Sequence, residues 1–428
     1  MIIRARTLVT MDGAPIDNGA VAVSGNRIDD VGRFDDIKTR NAGEILDSGE
    51  QALLPGLINA HCHLDYTCLR GKIPPKKSFV DWIQTINAEK ATLSPKDYFA
   101  SIQDGLAEAR RFGTTTVANL TAFPELIPQI QPPIRACWFA ELIDVRMPER
   151  ADEIVDVAIE SLDRARPLAT AEPVHGGGRP GAPWGLAPHA LFTASENLFC
   201  RCEEISRRDN ILLTTHLAES RAEMQMFHDA SGPLYEFLKN LGRPMDDCGS
   251  KTPLERFVDS IGRGGSPNRH PAIEVNRPYH SWIVAHLNEL TESDFELLER
   301  SAPKFHIVHC PRSHNYFGHS PFAFERLRSL GFNVCLGTDS LASNESLSLF
   351  DEMRAFQKDF PSVCPQEILR MVTVNPALAL HQEDRLGRIR PGFEADLVAV
   401  PCSGSTDVFE QIISCDAPVN WLMVNGKM

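Results

Sequence analysis

The sequence predicts an α/β fold, a (β/α)8 TIM-type barrel with a small β-sandwich domain built from both chain ends. In the middle of the chain, eight short apolar runs alternate with longer helical patterns, as in repeated βα units. Both ends instead carry only short strand patterns separated by turns. A chain of 428 residues is long enough to bury one large barrel core and a small second domain. We therefore expect the sandwich from residues 1–55 and 387–428, and the barrel from residues 56–386.

The N-terminal part of the small domain alternates apolar and polar positions, with turn signals at Asp12–Gly13, Ser24–Asn26 and Ser48–Gly49. The tail repeats this pattern in residues 387–401 and 419–428. The N-terminus lacks the basic start, the apolar run and the small-residue cleavage site of a signal peptide. We therefore expect a cytoplasmic protein.

The predicted barrel strands are residues 53–63, 114–120, 134–144, 184–191, 211–219, 281–289, 304–312 and 333–341. Six of these segments carry a His, Asp or Glu at or just past the apolar run. TIM barrels place their chemistry at the carboxyl ends of the strands, so this distribution predicts a site at the barrel mouth. The Gly- and Pro-rich stretches 176–183 and 263–280 predict loops over that mouth.

The composition restricts the class of partner. Hydrophobic residues make up 43% of the chain and charged residues 23%, which is typical of an ordered globular protein. A net charge of −14 disfavours nucleic acid and anionic membranes, and no apolar run is long enough to span a bilayer. The 11 scattered cysteines predict reduced thiols rather than a disulfide framework. We expect a small-molecule substrate and a homodimer.

His61 and His63 are the first chemical signal. Residues i and i+2 of a strand project to the same side and can grip one ion. With 14 histidines in the chain, composition alone supplies roughly half an HxH, so the bare motif proves little. Here the pair closes an apolar strand that follows Pro55–Gly56, which favours a metal site over paired structural histidines.

Two further strand ends add a His-x-x-Glu motif and an Asp. His216 and Glu219 follow the fifth apolar run, where one residue can bind metal while the other moves protons; the alternative is the start of a surface helix. Asp339 follows the eighth run, and its alternative is a helix N-cap. Because Ser340 or Ser343 can supply that cap, we predict Asp339 as a metal ligand.

Other polar residues at strand ends leave more than one interpretation. His286 ends the sixth strand and is predicted to be functional rather than a core histidine. His189 ends the fourth strand and is predicted to contact substrate. His309 and His314 remain open, and Arg312 beside them either binds an acidic substrate group or caps a strand end.

The donor set indicates which metal to expect. No lysine ends the fourth strand, where a carbamylated lysine would bridge two ions, so we expect a single ion. Three His and one Asp suit Zn2+ or Fe2+ better than Ca2+ or Mg2+, which prefer oxygen ligands. We place Zn2+ ahead of Fe2+.

Several motifs occur together in the order LPGLINAHCHLD, APHALFTAS, HLAES, AHLNELTESD, HCPRS and GTDSLASNESL. In this order they resemble the cytosine deaminase, S-adenosylhomocysteine deaminase and triazine hydrolase branch of the amidohydrolase superfamily. The resemblance implies that His61, His63, His216 and Asp339 bind the metal. It further implies that Glu219 shuttles protons, that His286 polarises the attacking water, and that the chain ends form the small β-sandwich of that branch.

Within the branch, the chain most resembles the aminofutalosine deaminases of the alternative menaquinone route. SFVDWI at 78–83, NESLSLFDEMRAF at 344–356 and HCHLD carry this resemblance, as does the interval of 70 residues from His216 to His286. LRG at 69–71 is instead more similar to the adenosylhomocysteine deaminases. Candidate specificity residues are Asp65, Trp82, His189 and Arg312.

These features predict hydrolytic deamination of an amino-substituted purine nucleoside or related N-heterocycle, with an aminofutalosine-like substrate favoured. A metal-held hydroxide would attack while Glu219 protonates the ring and ammonia leaves. Alternatives are adenosylhomocysteine, adenosine, guanine or cytosine deamination, and dechlorination or ring-amide hydrolysis of the triazine type. Glu219 favours deamination, because some triazine chlorohydrolases replace that glutamate. A non-enzymatic scaffold would require an incomplete site, and every expected ligand is present.

Overall fold

Two β-sheets organise the chain. The computed structural model describes residues 1–76, 78–164, 184–263, 279–300, 304–404 and 407–428. The N-terminal strands are β1 (Ile2–Leu8), β2 (Ile16–Ser24), β3 (Arg27–Arg33), β4 (Ile45–Asp47) and β5 (Gln51–Pro55). The barrel strands are β6 (Leu57–Cys62), β7 (Thr114–Thr121), β8 (Arg135–Leu142), β9 (Trp184–Pro188), β10 (Leu212–Leu217), β11 (Tyr279–His286), β12 (Lys304–His309) and β13 (Asn333–Leu336). The C-terminal strands are β14 (Leu397–Pro401) and β15 (Trp421–Met423).

Helices connect and cover these strands. They are α1 (Phe34–Arg40), α2 (Phe79–Lys90), α3 (Pro95–Arg111), α4 (Ala151–Arg164), α5 (Glu196–Asp209), α6 (Arg221–Asp229), α7 (Pro233–Asn240), α8 (Pro253–Arg263), α9 (Glu292–Arg300), α10 (Pro311–Phe317), α11 (Phe324–Ser329), α12 (Leu349–Asp359), α13 (Pro365–Arg370), α14 (Val374–Ala379) and α15 (Val408–Ile413). Short 3-10 helices span Leu64–Leu69, Pro124–Gln129 and Pro148–Arg150. The start of α3 shows how local sequence sets these bounds, because Ser94 and Asp97 form a capping box and Pro95 begins the helix.

Both chain ends contribute strands to one sheet. Its order is β15-β14-β5-β1-β2-β3, with β4 paired to β1, and β14 runs antiparallel to β5. Within the described residues this module contains a single sheet, one face of which packs against Ile37 of α1. Gly56 marks the crossing into the barrel, where a Cβ atom would lie 2.2 Å from the Thr115 side chain. Only glycine leaves room here for the Thr115 side chain.

The barrel strands are all parallel and pair in chain order from β6 to β13. First and last strands meet at a seam, where the backbone N–H groups of Thr338 and Asp339 both donate to the carbonyl oxygen of His61 at 3.1 Å. The result is a nearly closed eight-stranded barrel surrounded by helices. It confirms the predicted fold class of a (β/α)8 barrel with an attached β-sheet domain.

Alternate residues of a barrel strand face opposite sides. Along β8, Trp138 and Ala140 belong to the large apolar cluster that the surrounding helices complete. Cys137 and Phe139 belong to a smaller cluster formed with residues of other barrel strands. Because the helices cover the outside, this second series faces the barrel interior, and Glu141 continues it.

Some expectations concern loops and solvent exposure. Residues 176–183 and 264–278, which carry most of the two predicted loops, lie outside the described residues.

All eleven cysteines are free, and six of them are buried. In the part of the chain that the structure describes, no helix combines the length and the apolar composition needed to cross a bilayer. The cytoplasmic location and the homodimer stay predictions.

Candidate active site

The residues predicted as metal ligands converge at one end of the barrel. His61 lies near the end of β6, His63 follows that strand, His216 lies in β10, and Asp339 comes shortly after β13. All four residues are buried. They share the carboxyl ends of the strands, where TIM-barrel enzymes carry out their chemistry. We therefore take this cluster as the candidate active site.

The four side chains are close enough to share one ion. Nε2 of His63 lies 3.1 Å from Nε2 of His216, and Oδ1 of Asp339 lies 3.8 Å from Nε2 of His61 and 3.9 Å from Nε2 of His63. Candidate ligand atoms of His61, His63 and Asp339 lie within 4.8 Å of one another, as do those of His61, His216 and His286. Both ring nitrogens of His61 are buried without a hydrogen-bond partner among the described residues. Buried polar atoms are nearly always paired, so these nitrogens fit a site that a cation completes.

The histidines of this cluster are in the form that binds a metal. Burial, reinforced by the neighbouring His216, lowers the pKa values of His61 and His63 well below the usual value, so both rings are neutral. Nδ1 of His216 donates to the carbonyl oxygen of His189 at 2.8 Å. A carbonyl only accepts, so the His216 proton lies on Nδ1 and the Nε2 lone pair faces the cluster.

Asp339 is oriented by two serines. Its Oδ2 accepts hydrogen bonds from Ser313 Oγ at 2.6 Å and from Ser343 Oγ at 3.2 Å. This arrangement leaves Oδ1 directed at His61 and His63. Among the described residues, no N–H group at a helix N-terminus donates to the Asp339 carboxylate, and Ser348 caps α12 instead.

Glu219 and His286 form a second pair beside this cluster. Oε1 of Glu219 lies 3.9 Å from Nε2 of His286, and both side chains are buried. Burial raises the pKa of Glu219 well above its usual range, and the charges of Asp339 and Glu223 add to that effect. Its backbone is fixed on both sides, because its N–H donates to Glu223 Oε2 at 2.8 Å and its carbonyl accepts from Asn288 Nδ2 at 3.0 Å. A rigidly held carboxyl group whose pKa is raised is suited to donate a proton.

Backbone strain concentrates around these residues. Ala218, His286, Leu287 and Asp339 have φ values of 49°, 73°, 53° and 56°, in the left-handed region that non-glycine residues rarely adopt. Such conformations persist only where the surroundings enforce them. Here the N–H of Leu287 donates to the carbonyl oxygen of Leu217 at 2.9 Å, which ties the ends of β10 and β11 together.

A cavity of about 280 Å3 opens onto this cluster. Its inner part is polar and is lined by His63, Glu141, His189, Thr193, His216, Glu219, His286 and Asp339. Its outer walls are largely apolar and come from α2, α7 and the segments after β8 and β9, through Phe79, Trp82, Ile83, Ile86, Ile143, Val145, Phe192, Leu234, Phe237, Leu238 and Leu241. The site thus combines a polar floor with an apolar entrance of the kind that holds small organic ligands.

The four predicted specificity residues separate into two groups. Trp82 and His189 line the cavity, whereas Asp65 and Arg312 do not. The Asp65 carboxylate accepts from the N–H of Ala122 at 2.9 Å, and burial raises its pKa to about 7. The Arg312 guanidinium instead lies 3.2 Å from Asp351 Oδ2. Local partners therefore engage Oδ2 of Asp65 and the guanidinium of Arg312.

The two histidines left open by the sequence lie beside the site. His309 stacks on Phe322 with 4.0 Å between ring centroids, which is a core contact. His314 Nδ1 lies 3.1 Å from Asn288 Oδ1, and Asn288 holds the carbonyl of Glu219. His314 thus supports the residue that fixes Glu219.

Sequence reasoning missed Glu141. It is the penultimate residue of β8, in the run IRACWFAELID, and its side chain is 5% exposed, with Oε1 at 3.6 Å from His63 Nδ1 and 3.9 Å from His189 Nε2. A glutamate at the end of an apolar strand was the available signal. The α7 wall had no comparable signal, because apolar residues on a surface helix more often face the core.

A sequence profile of the amidohydrolase family matches residues 52–428, nearly the whole chain. The chain belongs to the amidohydrolase family. This result confirms the family resemblance carried by the motifs at the strand ends.

Relatives of this amidohydrolase include named deaminases. It is 30% identical over 406 residues to a 5-methylthioadenosine/S-adenosylhomocysteine deaminase of Syntrophobacter fumaroxidans, a match that covers 91% of this chain and 81% of the relative. It is 25% identical over 376 residues to an aminodeoxyfutalosine deaminase of Deinococcus radiodurans, covering 85% of this chain and 81% of the relative.

Solved structures show the same fold. An adenosine deaminase from Xanthomonas campestris with bound zinc superposes with a TM-score of 0.78 at 25% identity, covering 100% of this amidohydrolase and 92% of that chain. Aminofutalosine deaminase from Helicobacter pylori, in complex with methylthio-coformycin, gives a TM-score of 0.81 at 19% identity, covering 100% and 99%. At that identity the second likeness concerns the fold alone.

Proposed function

We propose that this amidohydrolase is a metal-dependent deaminase that hydrolyses the exocyclic amino group of an adenine-type nucleoside and releases ammonia. One observation carries the proposal: the buried carboxyl group of Glu219 lies beside His286 and next to a His-His-His-Asp cluster in one cavity. The relatives named as nucleoside deaminases support the same reaction class.

The proposed metal ligands are His61, His63, His216 and Asp339. Neutral imidazoles and one carboxylate form a donor set suited to Zn2+, which we place ahead of Fe2+. When bound, such an ion lowers the pKa of a coordinated water toward neutrality and so supplies a nucleophile. The orphaned nitrogens of His61 and the Nε2 lone pair of His216 fit this role.

The chain's own residues position the reactants and move the protons. His286 Nε2 is buried without a hydrogen-bond partner in the described ranges, so it is free to hold the attacking water on its line of approach. Oδ1 of Asp339 accepts the proton that the water loses. Glu219 donates its proton to the ring nitrogen next to the amino-bearing carbon, which makes that carbon electrophilic. The water oxygen bonds to that carbon, and the proton held by Asp339 passes to the amino group. The carbon–nitrogen bond then breaks and ammonia leaves. The added hydroxyl returns its proton to Glu219 as the ring carbonyl forms.

The outer cavity indicates the kind of substrate. Its apolar walls from α2 and α7 can cover an extended substituent of the nucleoside, such as a group on the 5′ carbon. An aminofutalosine-like substrate, which the sequence favours, and a 5′-thioadenosine both carry such a group. We place the substrate within this class.

Ammonia release from a panel of compounds tests the proposal. The zinc-loaded protein should act on aminofutalosine, 5′-methylthioadenosine, S-adenosylhomocysteine or adenosine, and much less on guanine, cytosine or a triazine. Activity on one of those last three alone would replace the proposed substrate class while leaving a hydrolase. If the zinc-loaded protein released no ammonia from any of these compounds, the deaminase proposal would be wrong.

A further inference from the structure

The carboxylate of Glu141 has no hydrogen-bond donor among the described residues. Its side chain is 5% exposed, and it lines the cavity. The nearest nitrogens are His63 Nδ1 at 3.6 Å and His189 Nε2 at 3.9 Å, beyond the range of N–H···O hydrogen bonds. Because this enclosed carboxylate lines the cavity and accepts no hydrogen bond from the described residues, it is available to a donor that enters the cavity.

The neighbouring imidazole is beyond hydrogen-bond range of this carboxylate, because His189 Nε2 lies 3.9 Å from Glu141 Oε1. Thr193 Oγ1 lies 2.7 Å from His189 Nδ1 and 3.2 Å from the carbonyl oxygen of Ala190. Where the Thr193 hydroxyl donates to that carbonyl, Nδ1 carries the ring proton and Nε2 can accept a hydrogen bond from a ligand. The cavity thus places a carboxylate and an imidazole nitrogen side by side, 3.9 Å apart.

The cations that line the cavity do not pair with Glu141. Lys90 and Arg146 both line it, and the Lys90 ammonium lies 4.6 Å from the centroid of the Tyr66 ring. Within the described part of the chain, no ion pair joins either residue to Glu141. A ligand that enters the cavity can therefore donate to both Glu141 and His189.

We propose that Glu141, together with His189, binds the neighbouring hydroxyls of the substrate's sugar and so selects nucleosides that carry them. A single hydroxyl donates one proton and serves one acceptor, whereas two adjacent hydroxyls serve two acceptors lying side by side. Hydrogen bonds to a carboxylate are stronger than those between neutral groups, so Glu141 contributes most of this selectivity. The inference rests on the proposed function, because it concerns the same cavity.

Steady-state kinetics on paired substrates tests this inference. The substrates are 5′-methylthioadenosine and its 2′,3′-dideoxy analogue. The proteins are the wild type, Glu141→Gln, and Glu125→Gln, which removes an exposed carboxylate outside the cavity. We expect Glu141→Gln to lower kcat/KM for the hydroxylated nucleoside by roughly 10- to 100-fold. For the dideoxy analogue, which the wild type already uses poorly, we expect less than about a threefold change. Glu125→Gln should match the wild type on both.

The other outcomes each have a distinct meaning. Equal losses on both substrates, with weaker zinc binding, would overturn the inference and assign Glu141 to orienting His63. Unchanged kinetics on both would also overturn it. Failure of the proposed function looks different, because the zinc-loaded wild type would then deaminate neither nucleoside. Zinc content measured on every variant separates a change in the site from a change in substrate recognition.

Discussion

At the scale of single residues, Glu219 is the group whose chemistry is easiest to isolate. Glu219→Gln keeps the size of the side chain but removes its transferable proton. We expect turnover to fall by at least about 100-fold, as is usual for loss of a general acid. Zinc content should stay at the wild-type level, because Glu219 is not a proposed ligand. Near-normal turnover by the variant would remove Glu219 from the mechanism.

The ligand residues make a separate prediction about the metal. Removal of the ion with a chelator should abolish ammonia release, and added Zn2+ should restore it. His216→Ala should lose the ion through purification, because it removes an Nε2 lone pair that lies 3.1 Å from Nε2 of His63. Metal analysis and activity measured on the same samples check both statements. Full activity in the metal-free protein would contradict the proposed site.

The sequence predicted these residues because strand ends of a parallel barrel must meet at one mouth. It could not predict which polar side chains point into the cavity. Asp65 accepts from Ala122, and Arg312 approaches Asp351, partners that only the folded chain brings near. Glu141 was missed because its role depends on its side chain facing the barrel interior. An unbroken apolar run does not show which of its alternate residues face that way.

At the scale of elements, a buried charge network joins β8 to the terminal sheet. Arg135 pairs with Glu394 and lies 3.4 Å from Asp396, and both carboxylates are buried. Arg135→Ala leaves the buried Asp396 carboxylate without its cation, whereas Glu394 keeps its ion pair with Arg385. We expect the free energy of unfolding to fall by about 3–5 kcal/mol in chemical denaturation.

A helical ion pair offers the matched control for this loss. Arg164 pairs with Glu160 on α4, with both side chains at least 66% exposed. Arg164→Ala should change the free energy of unfolding by less than about 0.5 kcal/mol. Equal effects of the two substitutions would show that the buried network does not hold the sheet to the barrel.

Helix α12 contributes to the pH dependence of the free energy of unfolding. Glu352 is fully buried and accepts from the N–H of Arg312 at 3.0 Å, and burial raises its pKa from 4.5 to about 8. The folded chain therefore keeps this proton up to about pH 8, while the unfolded chain releases it near pH 4.5. The free energy of unfolding should fall as pH rises through this window, by about 1.4 kcal/mol for each pH unit.

Glu352→Gln has no such proton to lose. Its slope of unfolding free energy against pH should be shallower than that of the wild type between pH 5 and pH 8. The slope is the relevant measurement, because the amide also loses one acceptor for Asn344 Nδ2 and shifts the absolute stability. Parallel curves for the two proteins would place the titration of Glu352 below this window.

Most elements near the site could be predicted, since strands buried on both sides read as apolar runs. The cavity wall formed by α7 could not be predicted from the sequence. The interval of 70 residues between His216 and His286 contains α6, α7 and α8, and only packing decides which of them faces the cavity. Leu234 and Phe237 of α7 line it. Helical periodicity identifies the apolar face of a helix but not whether that face packs against the core or lines a cavity.

At the scale of the whole molecule, eight strand ends form one site only if the barrel closes. The sequence predicts the number of strands but not the contacts at the seam between the first and last. In the structure, the side chain of Asn59 in β6 adds to the backbone hydrogen bonds that Thr338 and Asp339 donate to His61. Its Nδ2 donates to Thr338 Oγ1 at 2.8 Å, and its Oδ1 accepts from the N–H of Thr338 at 3.2 Å and of His61 at 3.3 Å. These bonds fix His61 and Asp339, on opposite sides of the seam, at a constant separation.

Asn59→Ala should therefore weaken both folding and metal binding. We expect a loss of about 1–3 kcal/mol in the free energy of unfolding, because buried groups of Thr338 lose partners. Zinc affinity, measured by competition with a chelator, should fall as well, although Asn59 is not a proposed ligand. Thr116→Val on the adjacent β7 is the control, since it removes a buried hydroxyl that has no partner among the described residues and should leave zinc affinity unchanged. If Asn59→Ala lowers stability while zinc binds as in the wild type, the seam contributes to folding without setting the geometry of the site.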